Sequence, residues 1–290
     1  MFTSQATLHR VAYDGSFRIA KSSNKPPKGK AIGSKRRLKA TVRKLDELQQ
    51  RLAASDRHSL LLVFQAMDAA GKDSTIRAVM QGINPAGCQV YNFKKPTSNE
   101  LEHDFLWRTS LRMPERGRIG IFNRSHYEEV LIVRVHPEIL RNQKLPADSI
   151  SDSIWTERLE SICDQEKHLA RNGTVILKFW LNVSHAEQKR RFLRRLDKPE
   201  KNWKFAPDDV AERAHWDTYM QAYEEALNAT SKPWAPWYAI PADDKPYMRA
   251  IVAETITAGL SGLGLEYPAP SDKNRQAFAA ARASLIDADG

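Results

Sequence analysis

Ser59-Leu60-Leu61-Leu62-Val63-Phe64, followed almost at once by Ala66-Met67-Asp68-Ala69-Ala70-Gly71-Lys72-Asp73-Ser74-Thr75, is the stretch on which the fold turns. The first part is a short, unbroken apolar run. Its length suits a strand buried on both faces of a parallel sheet. The second part contains Gly-Lys, and residues 74–80 can open a helix. A strand, a tight turn and a helix N-terminus in that order make a phosphate cradle. Backbone N–H groups converge there, the helix end adds partial positive charge, and the lysine ammonium reaches phosphate oxygens. Two positions depart from G-x-x-x-x-G-K-[ST]. Ala66 stands where the first glycine belongs, and Asp73 stands where a hydroxyl normally holds magnesium. Asp68 lies inside the cradle, where a carboxylate repels phosphate unless a cation sits between them. It is therefore either a Mg2+ ligand or a turn aspartate bonded locally.

Further strand-like runs follow at residues 89–93, 118–123, 174–183 and 237–240. Helix-compatible segments lie around them at 34–54, 154–171 and 208–229. Thr97-x-x-Glu100 and Ser184-x-x-Glu187 have the spacing of capping boxes, the first opening a helix that carries Leu101, Phe105 and Leu106. Strands alternating with helices predict βαβ units. The expected fold is a three-layer α/β/α sandwich, P-loop kinase-like, with a mainly parallel sheet and a helical lid. Residues 1–33 read as an irregular extension, 34–265 as one domain and 266–290 as a tail with a short Ala-rich helix near 275–285.

The chain has 290 residues and a formal charge of +10, which suits an anionic partner: nucleic acid, anionic membrane or a phosphate-rich substrate. Two cysteines, Cys88 and Cys163, are too few for a disulfide framework. Residues 1–15 lack the apolar core of a leader, and the longest apolar run is far too short to span a bilayer. A cytoplasmic protein is the simplest reading. In segment 34–54, Leu38, Val42, Leu45, Leu48 and Leu52 form one helical face. The other face carries Lys35, Arg36, Arg37, Lys39, Arg43 and Lys44, either solvated or walling an anion groove.

The run Ile119-Gly120-Ile121-Phe122-Asn123-Arg124-Ser125-His126-Tyr127-Glu128 is a strand ending in a polar cluster, where open α/β sheets gather ligands. Asn123 offers a neutral oxygen, and Arg124 has the planar fork that braces a phosphoryl group. Glu128, one turn on, could accept from a nucleotide or orient Arg124. His126 reads as a packing residue before a phosphohistidine. Residues 184–196, SHAEQKRRFLRRL, crowd Lys189, Arg190, Arg191, Arg194 and Arg195 onto one short helix. Such a helix serves as a lid over phosphates, with 197–204 as its flexible part and the whole lid spanning about 185–206. A nucleic-acid surface would interleave the cations with exposed aromatics, and only Trp203 and Phe205 do so.

Together these pieces resemble the polyphosphate kinase 2 family. The likeness rests on MDAAGKD, on the run from Asn84 to Thr97, on HD-x-LWR at His103 to Arg108, on FNRSHYEEVLIVRVHPE from Phe122, and on DKPEKNWKF from Asp197. Asn123, where much of the family has Asp, resembles the class III branch, associated with phosphorylating both nucleoside monophosphates and diphosphates. The resemblance implies reversible, Mg2+-dependent transfer of the terminal phosphoryl group of inorganic polyphosphate to AMP or ADP, with ATP as a product. Mn2+ is a possible substitute for Mg2+. It also implies a homo-oligomer, dimer or tetramer, with no membrane or nucleic-acid partner. Carried onto this chain, Asp68, Lys72, Asn123 and Arg124 form the catalytic centre, and Asp68 and Asn123 hold the metal. Phosphate binding falls to Ala69, Ala70, Gly71, Lys72, Asp73, Ser74 and Thr75 with Arg194 and Arg195. Nucleotide binding falls to Arg124, Glu128, Arg191 and Arg194. Ala66 and Ser74 depart from glycines usual in the family. Two other readings stand beside this one: an ATP-dependent P-loop kinase of a nucleoside monophosphate or other small acceptor, and a nucleic-acid-binding module.

Overall fold

The computed structural model describes residues 7–288, so the reading of residues 1–15 falls partly outside it. α1 (Ser34–Ser55) buries Leu45, Leu48 and Leu52, with Leu38 and Val42 packed at the core's margin. β1 (Ser59–Gln65) is buried at every residue, as the unbroken apolar run requires. Each large aliphatic side chain removed from water there contributes roughly 1.5–3 kcal/mol before entropy is counted. α2 (Lys72–Val79) follows the turn. Then come β2 (Cys88–Asn92), β3 (Ile119–Asn123), α3 (Ile154–Arg171), β4 (Thr174–Asn182), α4 (His185–Leu196), α5 (Trp216–Thr230), β5 (Trp237–Pro241), α6 (Lys245–Ser261) and α7 (Asp272–Ala288).

The strands lie in the order β2-β3-β1-β4-β5, and every pairing is parallel. α1, α2 and α6 pack together on one side of the sheet, and α3 and α5 pack together on the other. The three-layer sandwich is therefore present, with a sheet parallel throughout. The irregular segment before α1 covers the outer edge of β5: Val11 N–H donates to Trp237 O at 2.9 Å, and Ala239 N–H to His9 O at 2.8 Å. Among the described residues no helix is long and apolar enough to cross a membrane. Cys88 and Cys163 are free thiols.

Four local expectations need correction. The Thr97/Glu100 box closes, with Glu100 Oε2 accepting from Thr97 N–H at 2.7 Å and Thr97 Oγ1 from Glu100 N–H at 3.3 Å. It opens only a 3-10 turn, Glu100–Glu102, because Asp104 Oδ1 captures Leu106 N–H at 2.9 Å and offers the backbone a local alternative to a helix. The Ser184 box is half made. Ser184 Oγ accepts from Glu187 N–H at 3.1 Å, but Ser184 N–H goes to Asp243, and Glu187 turns instead to Arg190 and Arg191. The segment 208–229 is broken into Asp208–Ala211, a 3-10 turn Glu212–His215, and α5. At that break the Glu212 carboxylate meets His136 Nε2 at 3.0 Å and the Tyr219 hydroxyl at 2.7 Å. The tail helix α7 is longer than 275–285 and exposed along its described side chains.

Candidate active site

Sheet register builds the site. Phe64 pairs with Asn123, so the carboxyl ends of β1 and β3 stand side by side. The chain's next strand, β4, lies on the other flank of β1, which is where a crevice opens in such sheets. From β1 the chain turns through Ala69 at φ 61° and Gly71 at φ 110° into α2. Gly71 occupies backbone space that side chains rarely adopt. Ala69 adopts the left-handed region at a cost of about 1 kcal/mol. Ala66 and Ser74, which replace glycines usual in the motif, take no positive φ. Their side chains are accommodated without backbone strain, and Ser74 Oγ donates to Gly71 O at 3.0 Å.

Lys72 Nζ donates to Ala66 O at 2.7 Å, across the mouth of the turn. Burial, then the Arg124 guanidinium, pull its pKa down. Thr75 is fully buried beneath the turn, away from the cleft, and its Oγ1 has no partner among the described residues.

Arg124 also takes a left-handed backbone, at φ 64°. Its Nη2 lies 2.9 Å from Asp68 Oδ1, and its Nη1 3.7 Å from Glu128 Oε2. Glu128, and then Asp68, raise the Arg124 pKa against its burial. Burial raises the Glu128 pKa, opposed by Arg124 and Lys72. Glu128 sits behind Arg124, in a narrow cavity with Leu131, Ile132, Tyr219 and Tyr223. Asn123 Nδ2 donates to Asp73 Oδ1 at 2.7 Å, so the residue after the loop lysine meets the residue that ends β3. His126 is buried, and neither ring nitrogen has a hydrogen-bond partner among the described residues. Burial, then Lys178 and Arg108, pull its pKa down to about 3. A neutral, enclosed imidazole does not face the cleft.

α4 joins the cradle from above. Gln188 Nε2 donates to Asp68 O at 3.0 Å. Buried Arg191 donates through Nη1 to Ala69 O and Ala70 O, and through Nη2 to Ala242 O and Asp243 O. Its Nε pairs with Glu187 at 2.6 Å. Its hydrogen bonds are thus directed at backbone carbonyls and Glu187, which the sequence reading did not anticipate. Arg194 points into the cleft and is exposed, whereas Arg195 is tied to Asp209 at 3.2 Å.

The cleft that results measures about 870 Å³. Twelve of its lining residues are Lys or Arg and three are Asp or Glu. Arg77, Lys94, Lys95, Lys201, Lys204, Lys245 and Arg249 belong to it and were not singled out from the sequence. One signal was available for two of them. Lys245 and Arg249 are four apart in the first turns of a helix that starts just past a strand, where cations oppose the helix dipole. Burial, then the guanidinium groups of Arg191, Arg249 and Arg194, lower the Lys245 pKa to about 8. Arg249 Nε is buried with no acceptor among the described residues.

A family model for polyphosphate kinase 2 matches residues 30–262 of the chain. The chain belongs to the polyphosphate kinase 2 family. It is a phosphotransferase on the same ground. It is 53% identical over 250 residues to an ADP-polyphosphate phosphotransferase of Rhodopseudomonas palustris, covering 86% of each chain. It is 42% identical over 265 residues to an AMP/ADP-polyphosphate phosphotransferase of Meiothermus ruber, covering 90% of this chain and 95% of that one. The crystal structure of polyphosphate kinase 2 from Arthrobacter aurescens TC1 superposes with a TM-score of 0.88 at 38% identity, over 99% of this chain and 98% of that one.

Proposed function

We propose that the protein transfers the terminal phosphoryl group of inorganic polyphosphate to AMP or ADP, reversibly. The observation that carries this reading is the cleft, with twelve basic and three acidic lining residues converging on the Lys72 turn. Arg77, Lys245 and Arg249 form no ion pair among the described residues, and such a wall suits a chain of phosphates. The nucleotide phosphate oxygen attacks the terminal phosphorus, the bond from that phosphorus to its bridging oxygen breaks, and the shortened polyphosphate leaves with the electron pair. Lys72 and Arg124 neutralise the transferring group, and Asp68 orients Arg124. A phosphate nucleophile is already ionised at neutral pH, so no strong general base is needed. Glu128 acts on Arg124 from behind, and Arg191 shapes the turn instead of touching nucleotide. Arg194 is a lid cation free to close on substrate, with Lys201 and Lys204 beside it.

A divalent metal fits this donor set. Mg2+ takes one or two protein oxygens and fills its shell with water and phosphate. Asp68 and the Asn123 carbonyl oxygen are such donors, and Asp73 adds another beside them. Bound there, the ion would offset phosphate charge. An ATP-dependent kinase is not favoured, because the turn lacks the glycine-rich loop with Lys-Ser/Thr. The deciding experiment supplies purified protein with Mg2+, AMP or ADP, and either polyphosphate or ATP. Formation of ADP or ATP from polyphosphate is expected. No product from polyphosphate, or transfer from ATP alone, overturns the reading.

A further inference from the structure

β4 carries a lysine in the middle of an apolar run, and that lysine is fully buried. Lys178 Nζ donates to Glu166 Oε2 at 2.6 Å, to Thr230 O at 2.8 Å and to the Tyr127 hydroxyl at 2.9 Å. All three ammonium hydrogens are therefore placed. The Tyr127 hydroxyl donates in turn to Glu166 Oε1 at 2.9 Å, so both carboxylate oxygens are occupied. Tyr127, Glu166 and Lys178 are each at most 1% exposed. The network joins β4, α3 and the end of α5 to the 3-10 turn His126–Val130 that follows β3.

A buried ion pair is weak evidence for stability, since apolar groups of similar volume often serve as well. Its location suggests another use. Tyr127 is three residues after Arg124, whose left-handed backbone is unfavourable for a non-glycine residue. On one side, Arg124 N–H donates to Phe64 O at 3.1 Å. On the other, Ser125 Oγ accepts from Gln65 Nε2 at 3.1 Å and from Tyr127 N–H at 3.2 Å. Tyr127 is the anchor beyond them, with its ring against Trp237 at 4.8 Å and its hydroxyl locked by Glu166 and Lys178. The backbone through Arg124 is thus clamped at both ends.

We infer that the Tyr127–Glu166–Lys178 network is a positioning element for catalysis: it holds the strained Arg124 turn and so keeps the Arg124 guanidinium beside Asp68. The inference rests on the proposed role of Arg124 at the transferring phosphoryl group. Releasing the clamp lets Arg124 relax out of the left-handed region and carries its guanidinium off the reaction line.

The test is a double-mutant cycle on the full-length protein, with kcat and both substrate KM values measured. Tyr127→Phe keeps the ring and removes the two hydrogen bonds. It is expected to lower kcat about ten- to a hundredfold, as a small misplacement does, with KM values little changed. In an Arg124→Ala background the same change should lower kcat no further. A purely structural network would reduce kcat by the same factor in both backgrounds, and that result overturns the inference, as does an undiminished kcat in Tyr127→Phe. A second variant guards against misfolding. Lys178→Met with Glu166→Leu leaves no unpaired charge, so it should melt near the wild-type temperature while showing the kcat loss of Tyr127→Phe. Full turnover by that pair also overturns the inference. If Arg124→Ala alone keeps its kcat, the role of Arg124 falls first and the inference with it, a pattern distinct from additive losses.

Discussion

Replacing Arg191 separates two roles for the same side chain. The sequence places it among residues that touch nucleotide; in the structure it lines the cleft and is also a strut that ties α4 to the phosphate-binding turn and the entry to α6, which we propose is its main role. Arg191 donates to four backbone carbonyls, at 3.1, 2.5, 2.6 and 3.3 Å, and to Glu187 at 2.6 Å. It is 6% exposed, so water does not replace those bonds when the guanidinium is removed. Hydrogen bonds from a charged donor contribute about 1.5–3 kcal/mol each, but they share one side chain and do not add. Breaking a buried, fully bonded charge gives the better estimate, a loss of about 3–5 kcal/mol for Arg191→Met. At roughly 2–4 °C per kcal/mol for a chain of this size, melting should fall on the order of 6–20 °C. Arg191→Lys keeps the charge but has a single ammonium that cannot span both carbonyl pairs. It should recover less than half of that loss. Thermal melts and initial rates of ATP formation from ADP, with ADP and polyphosphate varied in turn, provide the measurements. Both variants should lose stability and kcat with a nearly unchanged nucleotide KM. A variant that melts normally, keeps kcat and binds nucleotide at least about tenfold more weakly would refute the strut and restore the contact role.

Four further outcomes follow from the charges in the cleft and the residues packed behind it. Lys245, lowered to about 8 by burial and its guanidinium neighbours, should regain its proton when polyphosphate binds, so calorimetry near pH 8.5 in buffers of different ionisation enthalpy should show proton uptake that Lys245→Met abolishes. The unfolded chain holds that proton between pH 8 and the ordinary lysine range, so stability rises with pH across this window, and the rise should be smaller in Lys245→Met. Arg77→Ala and Arg249→Ala should raise the KM for polyphosphate, reduce its dependence on salt and leave the nucleotide KM unchanged; equal effects on both substrates would place the donor elsewhere. His126→Phe should retain turnover, and no phosphorylated protein should be trapped with polyphosphate alone, since the imidazole is enclosed and held neutral; loss of turnover in a folded variant would reopen covalent catalysis.

Four of the five strands, β1, β3, β4 and β5, were legible as largely apolar runs of strand length and are buried at every residue, whereas β2 (CQVYN) is the partly exposed member of the sheet. The cradle was legible from Asp68 to Lys72 because it is contiguous in sequence. What could not be read was set by juxtaposition. Asp73 and Asn123 are 50 residues apart, and only the register of β1 on β3 makes them partners. Arg191 was read by its charge, since nothing in SHAEQKRRFLRRL distinguishes the arginine that faces backbone carbonyls from Arg194, which faces the cleft. The Ser184 spacing predicted a reciprocal cap, but Asp243, brought in by the turn after β5, took the N–H that Glu187 would have accepted. Propensity also overestimated helix continuity in 208–229, where Glu212 serves two partners on other elements.

Where the net charge sits decides between a basic surface and a basic site. The chain has 45 basic and 35 acidic side chains. Twelve and three of these line the cleft at the carboxyl ends of β1 and β3, leaving 33 and 32 for everything else. The basic stripe of α1 is therefore a solvated face. It lines no part of the cleft, and its Arg37 is paired with Glu254 at 2.7 Å. A duplex-binding protein would spread its excess along a broad outer surface to meet evenly spaced phosphates. Here almost all of it is concave and leads to Lys72, where field lines focus and a narrow, flexible polyanion can follow. Such crowding is unfavourable without an anion: burial lowers the pKa of Lys72 and Lys245 first, and neighbouring guanidinium groups, Arg124 for Lys72 and Arg191, Arg249 and Arg194 for Lys245, lower them further. In the proposed mechanism a bound polyphosphate would relieve that unfavourable charge, so binding strength would be drawn in part from Lys72, one of the cations assigned to the transferring phosphoryl group.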